Sequence, residues 1–484
     1  MSHPKKIIPI ALAAENARDN SNDLFLVEAP NRVYARAVSG GFAAARWAMV
    51  WLTQLVFYGM PWLQWNSRQA VLFDIERQRF FLFNLALYPQ DLIYLAVLLV
   101  LAALALFFFT AVAGRVWCGF SCPQTVYTEI FMWVERKLEG DRVARMRLDA
   151  APWSPMKLAR KTGKQVIWVA ISLWTGFTFV GYFTPILTLA ASISNWSAGP
   201  WEVFWVLFYG SATYGNAGFL REQICKHMCP YARFQGAMFD RDTLTIGYDR
   251  ARGETRGSRA RLVDPKALGL GDCIDCTLCV QVCPTGIDIR NGLQSNCIGC
   301  AACIDVCDTV MDRMNYPRGL IRYSSENGLS NGWDKPTLKR RVLRPRVLIY
   351  GSILLVITAA FVTSVLLRKP FKVDVIRDRG VLARMVGNGV AENVYRLQIM
   401  NTTESPQRYL VNVLGQEGIA MARSVELELA PIQERSVAVS VKLPAQATAA
   451  LAGQKLPIQF EVTQLTGQNQ AIKVVENSTF LVPQ

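Results

Sequence analysis

The sequence predicts an α-helical membrane protein with five transmembrane helices, a cysteine-rich cytoplasmic domain before the fifth, and a C-terminal all-β extracytoplasmic domain. Three observations predict it. Hydrophobic residues make up 51% of the 484 positions, and they come in blocks. All twelve cysteines lie between Cys118 and Cys307. Beyond residue 368 the pattern changes to period-two alternation.

The apolar blocks place spans near 46–65, 91–113, 165–187, 200–220 and 347–367. The first and fourth are rich in Trp and Tyr, which favour the lipid–water boundary, and the fourth carries Glu202 near its outer end. Charge orients them. Ten Lys/Arg lie from Arg115 to Lys164, and KRRVLRPR (339–346) precedes the last span. TLAASISNWSAGP (188–200) has no charge. By the positive-inside rule, residues 1–45 form a cytoplasmic tail, 46–113 hold helices one and two, and 114–164 are cytoplasmic. Residues 165–220 hold helices three and four, 221–346 are cytoplasmic, 347–367 cross again, and 368–484 lie outside. In a Gram-negative bacterium that means the inner membrane with a periplasmic C-terminus. KKIIPIALAAE near the start imitates a signal peptide, but Pro9 interrupts its short apolar run, so it reads as tail.

The net charge of +15 raises nucleic-acid binding as a reading. The basic clusters flank the apolar blocks, which fits a lipid bilayer partner and no nucleic acid. The stretch ARGETRGSRARL (251–262) reads as a membrane-proximal or solvated linker. The two histidines, His3 and His227, are too few for haem held between facing helices, and no C-x-x-C-H occurs. No phosphate loop and no flavin or nicotinamide fingerprint is present. The electron donor is therefore not legible.

CIDCTLCVQVCP (273–284) and CIGCAACIDVC (297–307) share the spacing C-x2-C-x2-C-x3-C. This is the bacterial dicluster ferredoxin run: three close thiolates take three corners of a cubane, and the fourth cysteine ligates the other cluster. Cys273, Cys276, Cys279 and Cys307 are assigned to one [4Fe–4S] cluster, and Cys297, Cys300, Cys303 and Cys283 to the other. Zinc prefers two separated pairs, and a reducing cytoplasm disfavours disulfides. Pro284 follows the first run and Asp308 the second.

Four cysteines stand apart. RVWCGFSCPQTVYTE (115–129) and REQICKHMCPY (221–231) each close an apolar stretch with C-x-x-x-C-P. In a helix, Cys118/Cys122 and Cys225/Cys229 would share one face, and Pro123 and Pro230 would break or restart it. Aromatics recur five residues past each second cysteine, at Tyr127 and Phe234, which suggests a parallel internal repeat. Soft thiolates select Cu(I), zinc or iron–sulfur centres, and His227 and Met228 are available as added ligands. Copper, a third cluster and a dithiol all stay open, as does the alternative of inert buried cysteines. Whether the four thiols meet in one chain or across a homodimer is also open.

In the C-terminal region VELELA (425–430) alternates. SVAVSVKL (436–443) puts Val437, Val439, Val441 and Leu443 on one face, and IQFEVTQL (458–465) does so with Ile458, Phe460 and Val462. This reads as a small antiparallel β-sandwich without disulfides.

RVWCGFSCPQTVYTE, CPTGIDIRNGLQSNCIGCAACIDVCD (283–308) and MNYPRGLIRYSSENGL (314–329) resemble the FixG/RdxA/CcoG family of accessory proteins for cbb-type cytochrome c oxidases. The resemblance covers nearly the whole chain, and the exterior domain looks like that family's immunoglobulin-like C-terminus. It implies a cupric reductase that delivers Cu(I) to cytoplasmic copper chaperones and a copper-exporting ATPase. Cys118, Cys122, Cys225 and Cys229 would be its catalytic copper-handling site, and the ferredoxin cysteines would feed it electrons. The C-x-x-x-C-P pairs also resemble those of NapH-like and NosR-like membrane ferredoxins. That keeps two alternatives: a quinol-linked electron-transfer subunit, and a non-redox copper-binding scaffold.

Overall fold

The computed structural model describes residues 33–483 apart from 67, 262, 378–382, 388 and 466–471. The reading of KKIIPIALAAE lies outside the described residues.

A helix stands at each of the five expected places: α1 (Gly41–Gly59), α2 (Leu92–Ala113), α4 (Pro155–Val180), α5 (Pro200–Gly215) and α8 (Pro345–Leu366). Between them lie α3 (Pro123–Glu139), α6 (Pro230–Met238) and α7 (Ala302–Met314). Among the described residues, two helices are long and apolar enough to cross a membrane by length and composition, Pro89–Ala113 and Pro345–Leu366, with mean hydropathies of 3.0 and 2.2. The outer faces of the other three also carry large apolar residues, such as Trp51 and Leu55 on α1, Val166 and Leu173 on α4, and Trp205 and Leu207 on α5.

The largest boundary shift is in α4. Where a span is expected at 165–187, the helix begins ten residues earlier and ends at Val180. Ser154 caps it, its hydroxyl accepting the Lys157 N–H at 3.2 Å, and Pro155 fills the first helical position. A turn then leads into the short helix Ile186–Ser194. The first turns of α4 therefore belong to what the sequence assigned to the 114–164 segment.

The cysteine-rich domain and the β-sandwich sit at opposite ends of the helices. At one end the Arg344 guanidinium donates to the Ala111 and Asp242 carbonyls. At the other, Asp91 pairs with Arg368 at 2.6 Å and with Lys372. The connection after α1 folds into a small antiparallel sheet, Val71–Asp74, Arg79–Leu82 and Leu85–Leu87. It docks on the sandwich through Arg79 to the Ile432 carbonyl (2.9 Å) and Arg68 to Glu404 (2.7 Å).

The sandwich has the expected alternation. One sheet orders Ala420–Met421, Glu434–Leu443, Val390–Asn401 and Phe371–Arg377, with Arg384–Val386 also paired to Val390–Asn401. The other orders Val425–Leu429, Gln407–Leu414, Lys455–Gln464 and Lys473–Leu481. Val439, Val441, Leu443, Ile458, Phe460 and Val462 face inward between the sheets, and Val437 packs at the margin.

The cysteine-rich domain is fastened to α1. Asp305 on α7 accepts the Phe42 N–H (3.1 Å) and the Ala43 N–H (2.7 Å) at the start of α1. Gly40 is required there, because a Cβ would lie 2.4 Å from the Asp305 carboxyl carbon. A carboxylate at a helix N-terminus satisfies orphan donors and meets the positive end of the dipole. Asp305→Ala is expected to destabilise this junction by about 1–2 kcal/mol. Thermal unfolding of the purified protein measures it. Unchanged stability at unchanged iron content would mean the domain is held elsewhere.

Candidate metal and electron-transfer site

The two ferredoxin runs fold alike. In each, the residue before the second cysteine and the residue after it take positive φ: Asp275 and Thr277 at 53° and 56°, Gly299 and Ala301 at 71° and 60°. This curls each C-x2-C-x2-C around one point. A single helical turn then starts at Leu278 and leads to Cys283, and α7 starts at Ala302 and carries Cys307 away from its loop.

The thiols fall around two separate cavities. Cys273, Cys276, Cys279 and Cys307 line one, walled by Val310, Met311 and Leu320. Cys283, Cys297, Cys300 and Cys303 line the other, walled by Ile246, Ile287 and Ile289, with Cys279 at its border. This is the grouping expected from the spacing. Among the described residues no three Cys, His, Asp or Glu groups converge tightly enough to hold a single metal ion. Zinc, at about 2.3 Å from each sulfur, would draw four thiols together. Thiols ringing an apolar cavity suit the larger cubane, so these residues fit two [4Fe–4S] clusters.

Burial pushes the Cys300 thiol up to about 12, against the pull of Arg46. It does the same at Cys279, where Arg290 opposes it. Both arginines are structural. Arg46 donates to the Cys300 carbonyl at 2.6 Å, and Arg290 pairs with Asp288 at 2.7 Å and with Asp275. Cationic groups beside a site whose bound cluster is anionic favour its assembly and raise its potential. Arg252 and Arg259 tie this basic stretch into the domain, which corrects its reading as a linker. Arg252 pairs with Asp272 (2.5 Å), and Arg259 donates to the Gly271 carbonyl (2.7 Å).

The C-x-x-x-C-P pairs share one local device. Cys118 lies in the short helix Val116–Phe120 and Cys225 in the π-helical turn Ile224–Met228. Cys122 and Cys229 leave the helical conformation and cap the helices that begin at Pro123 and Pro230. Their N–H groups reach back five residues, Cys122 to Trp117 O (3.0 Å) and Cys229 to Ile224 O (2.8 Å). The prolines restart the helix, as expected. The two cysteines of a pair do not share one continuous helix, because the chain turns at the second. The aromatics are not equivalent: Phe234 is exposed, whereas Tyr127 packs against Tyr58. His227 and Met228 are exposed.

Cys118, Cys122, Cys225 and Cys229 lie near enough within one chain to influence one another's ionisation, though among the described residues they do not converge tightly enough to hold a single metal ion. Burial pushes Cys118 up to about 11, with the neighbouring Cys122 adding to it and Arg115 and Gln235 opposing. Burial pushes Cys225 up to about 12, reinforced by Cys122, Cys118 and Cys229. Gln235, fully buried on α6, accepts from the Cys118 thiol at 3.1 Å and donates to Thr110 at 3.2 Å. Gln124 donates to the Asn216 and Arg221 carbonyls at 2.9 and 3.2 Å, tying the first motif to the second.

This thiol group abuts the second ferredoxin cavity. A Cβ on Gly119 would lie 2.7 Å from the Gly299 carbonyl and 2.8 Å from the Cys300 nitrogen. Arg115 clamps the junction, its guanidinium donating to the Ser295, Cys297 and Ala232 carbonyls. Sequence reading missed Gln235, Arg115 and Arg46.

Family models match three parts of the chain: a 4Fe-4S dicluster domain over residues 220–326, a 4Fe-4S binding domain over 95–140, and an IG-like fold at the C-terminal of FixG over 361–483. The protein RdxA of Cereibacter sphaeroides is 39% identical over 426 residues, covering 86% of this chain and 87% of RdxA. The nitrogen fixation protein FixG of Rhizobium meliloti is 34% identical, covering 87% of this chain and 88% of FixG. The chain belongs to the FixG/RdxA family. It is an iron–sulfur electron-transfer protein. This FixG/RdxA chain is also similar to the ferredoxin-type protein NapH of Haemophilus influenzae, at 24% identity over 39% of the chain and 66% of NapH.

Proposed function

We propose that this protein spans the bacterial inner membrane five times and reduces Cu(II) to Cu(I) at Cys118, Cys122, Cys225 and Cys229 on its cytoplasmic side. The Cu(I) is destined for copper chaperones, a copper-exporting ATPase and the assembly of cbb-type cytochrome c oxidase. The observation that carries this reading is the backbone contact between Gly119 and the Gly299–Cys300 loop, which puts the thiol group against one ferredoxin cavity.

The ferredoxin cysteines, when they hold their clusters, supply electrons one at a time. The chain's other groups do the rest. Each copper takes one electron. Thiolates favour the soft Cu(I) over Cu(II), so the site itself favours the reduced product. Arg115 offsets part of the negative charge that thiolates bring. Gln235 holds the Cys118 thiol in place. Because burial raises the thiols, copper capture releases protons, and affinity rises with pH.

The test is a redox one. Reduce the protein anaerobically, add Cu(II), and follow the cluster electron paramagnetic resonance signal while a chelator reports Cu(I). Cys118→Ser/Cys225→Ser is expected to keep its clusters and lose Cu(I) formation. Equal Cu(I) formation by the variant would remove copper from this site. A second reading has its own observation: the model matching 95–140 is a 4Fe-4S binding domain, and that stretch holds only Cys118 and Cys122 as thiols. The four thiols would then hold a third cluster. Iron content distinguishes the readings, since eight iron atoms per chain suit two cubanes and about twelve suit three.

A further inference from the structure

Two residues past the last cysteine of each ferredoxin run stands a threonine: Thr285 after Cys283, and Thr309 after Cys307. Each of these cysteines lines the cavity of the other run's cysteines. The residue between differs, Pro284 in one run and Asp308 in the other. That difference sends the two hydroxyls to different places.

Asp308 is compatible with a helix, and α7 runs on through Met314. Thr309 is exposed on it, and its hydroxyl donates to the Asp305 carbonyl at 2.9 Å, the usual partner four residues back. In the first run the helical turn ends at Gln281, and Pro284 has no N–H to continue it. The chain folds over instead, with the Gly286 N–H on the Cys283 carbonyl at 3.2 Å and φ at 73°. This turn buries Thr285, which is 3% exposed, and lays its hydroxyl 3.3 Å from the Cys283 sulfur. Among the described residues that hydroxyl has no other hydrogen-bond partner. Thr285 lines the second ferredoxin cavity with Cys283, Cys297, Cys300 and Cys303. It also lines a cavity of about 60 Å³ that reaches Cys225.

We propose that Thr285 raises the reduction potential of the cluster held by Cys283, Cys297, Cys300 and Cys303, by donating a hydrogen bond to the Cys283 sulfur. Between a free thiol and a hydroxyl either group can donate. A cysteine bound to iron is a thiolate with no proton to give, so Thr285 is then the donor. An electron added to the cluster increases the negative charge that the ligand sulfurs share. A donor aimed at one of them therefore stabilises the reduced form more than the oxidised one. Cys297 and Cys300 are met by the main-chain N–H groups of Gly299 and Ala302, which no side-chain substitution removes. The Thr285 hydroxyl can be removed without touching a ligand. Tyr248 shares the first cavity with Cys273, so the effect is read on the second cluster's own potential and not on the difference between the two. The inference rests on the cluster assignment and not on the copper reading. Under that reading its consequence is to keep electrons on the cluster that faces the thiol group.

The test is an anaerobic titration of the full chain in detergent, with dithionite as the electron source, no copper present, and electron paramagnetic resonance as the readout. Cys276→Ser changes a ligand of the first cluster and marks its couple. In Thr285→Val the other couple is expected to fall, reduction becoming roughly tenfold less favourable, which is about 59 mV for one electron. Thr285→Ser keeps the hydroxyl and should keep the potential. Thr309→Val, the matched threonine whose hydroxyl faces a carbonyl, should move neither couple. An unmoved second couple in Thr285→Val at full iron content overturns the proposal. So does a shift in Thr285→Ser as large as that in Thr285→Val, or an equal shift of both couples, since either would report packing and not the hydrogen bond. Should Thr285→Val assemble too little cluster to titrate, Thr285→Ser against Thr285→Ala reads the same hydroxyl. A lower potential in Thr285→Ala supports the proposal, and equal potentials overturn it.

Discussion

Gly119→Ala is expected to slow reoxidation of the reduced clusters by Cu(II) by roughly tenfold to a hundredfold while leaving iron content unchanged. The reason is steric and local. The added Cβ would stand 2.7 Å from the Gly299 carbonyl group, where ordinary contact begins near 3.4 Å. The opposing atoms are backbone, so no side chain can swing aside. Gly299 is itself constrained, at φ 71° and 3.1 Å from the Arg115 carbonyl as its own Cβ would see it. The motif and the cluster loop must therefore part. Electron tunnelling falls off exponentially with distance, so a small separation has a large kinetic effect and a small thermodynamic one. Gly215→Ala is the matched control, since a Cβ there meets nothing within 4 Å. Stopped-flow absorbance of the clusters reads both. Wild-type rates in Gly119→Ala, with the loop shown intact by its iron content, would mean that electrons reach copper by a route avoiding this contact.

That contact was invisible in the sequence for a general reason. The ferredoxin cysteines were legible because ligand spacing is a local property: three thiols must reach three corners from one tight loop, so Cys273, Cys276 and Cys279 announce themselves. The sandwich strands were legible because Val439, Val441 and Leu443 alternate with exposed neighbours, and period two survives in any register. The prolines after Cys122 and Cys229 told where helices restart. Gln235 meeting Cys118 and Arg46 meeting Cys300 join residues 117 and 254 positions apart. No window holds both partners. The early start of α4 differs from these. Its Ser154-Pro155 cap was local and readable, but apolarity placed the span, and charged first turns hid the helix. The course of α3 back along α4 follows from neither: its amphipathic pattern fixes a buried face, not what covers it.

What covers α3 is a buried ion network, and removing its centre is expected to have the largest effect on stability. Glu135 is fully buried. It takes Arg145 at 2.7 Å, Arg221 at 2.8 Å and Lys164 at 3.8 Å, while Glu139, also buried, takes Lys161 and Lys164 at 3.0 Å. Lys164 and Arg221 lie over the Trp168 ring at 4.8 and 5.4 Å. Glu135→Ala leaves Arg145 and Arg221 buried beside one carboxylate fewer, at a cost of about 3–5 kcal/mol. Burial opposes ionisation of Glu135, but Arg221, then Arg145 and Lys164, outweigh it and hold its carboxyl below the usual range. The sign follows: with the folded value lowered, this stability is fully present above the ordinary value of 4.5 and is lost as pH falls through the lowered one. Glu135→Ala should therefore lower the unfolding temperature at neutral pH and flatten its fall toward acid. The same substitution reaches the thiols. Arg221 is four residues before Cys225, and its carbonyl receives Gln124 from the first motif. Freed of Glu135, it no longer fixes Cys225 against Cys122, and maleimide labelling of Cys225 in the folded protein should quicken. A variant as stable as wild type, with Cys225 no more reactive, would show that packing around Trp168 alone holds the two motifs together.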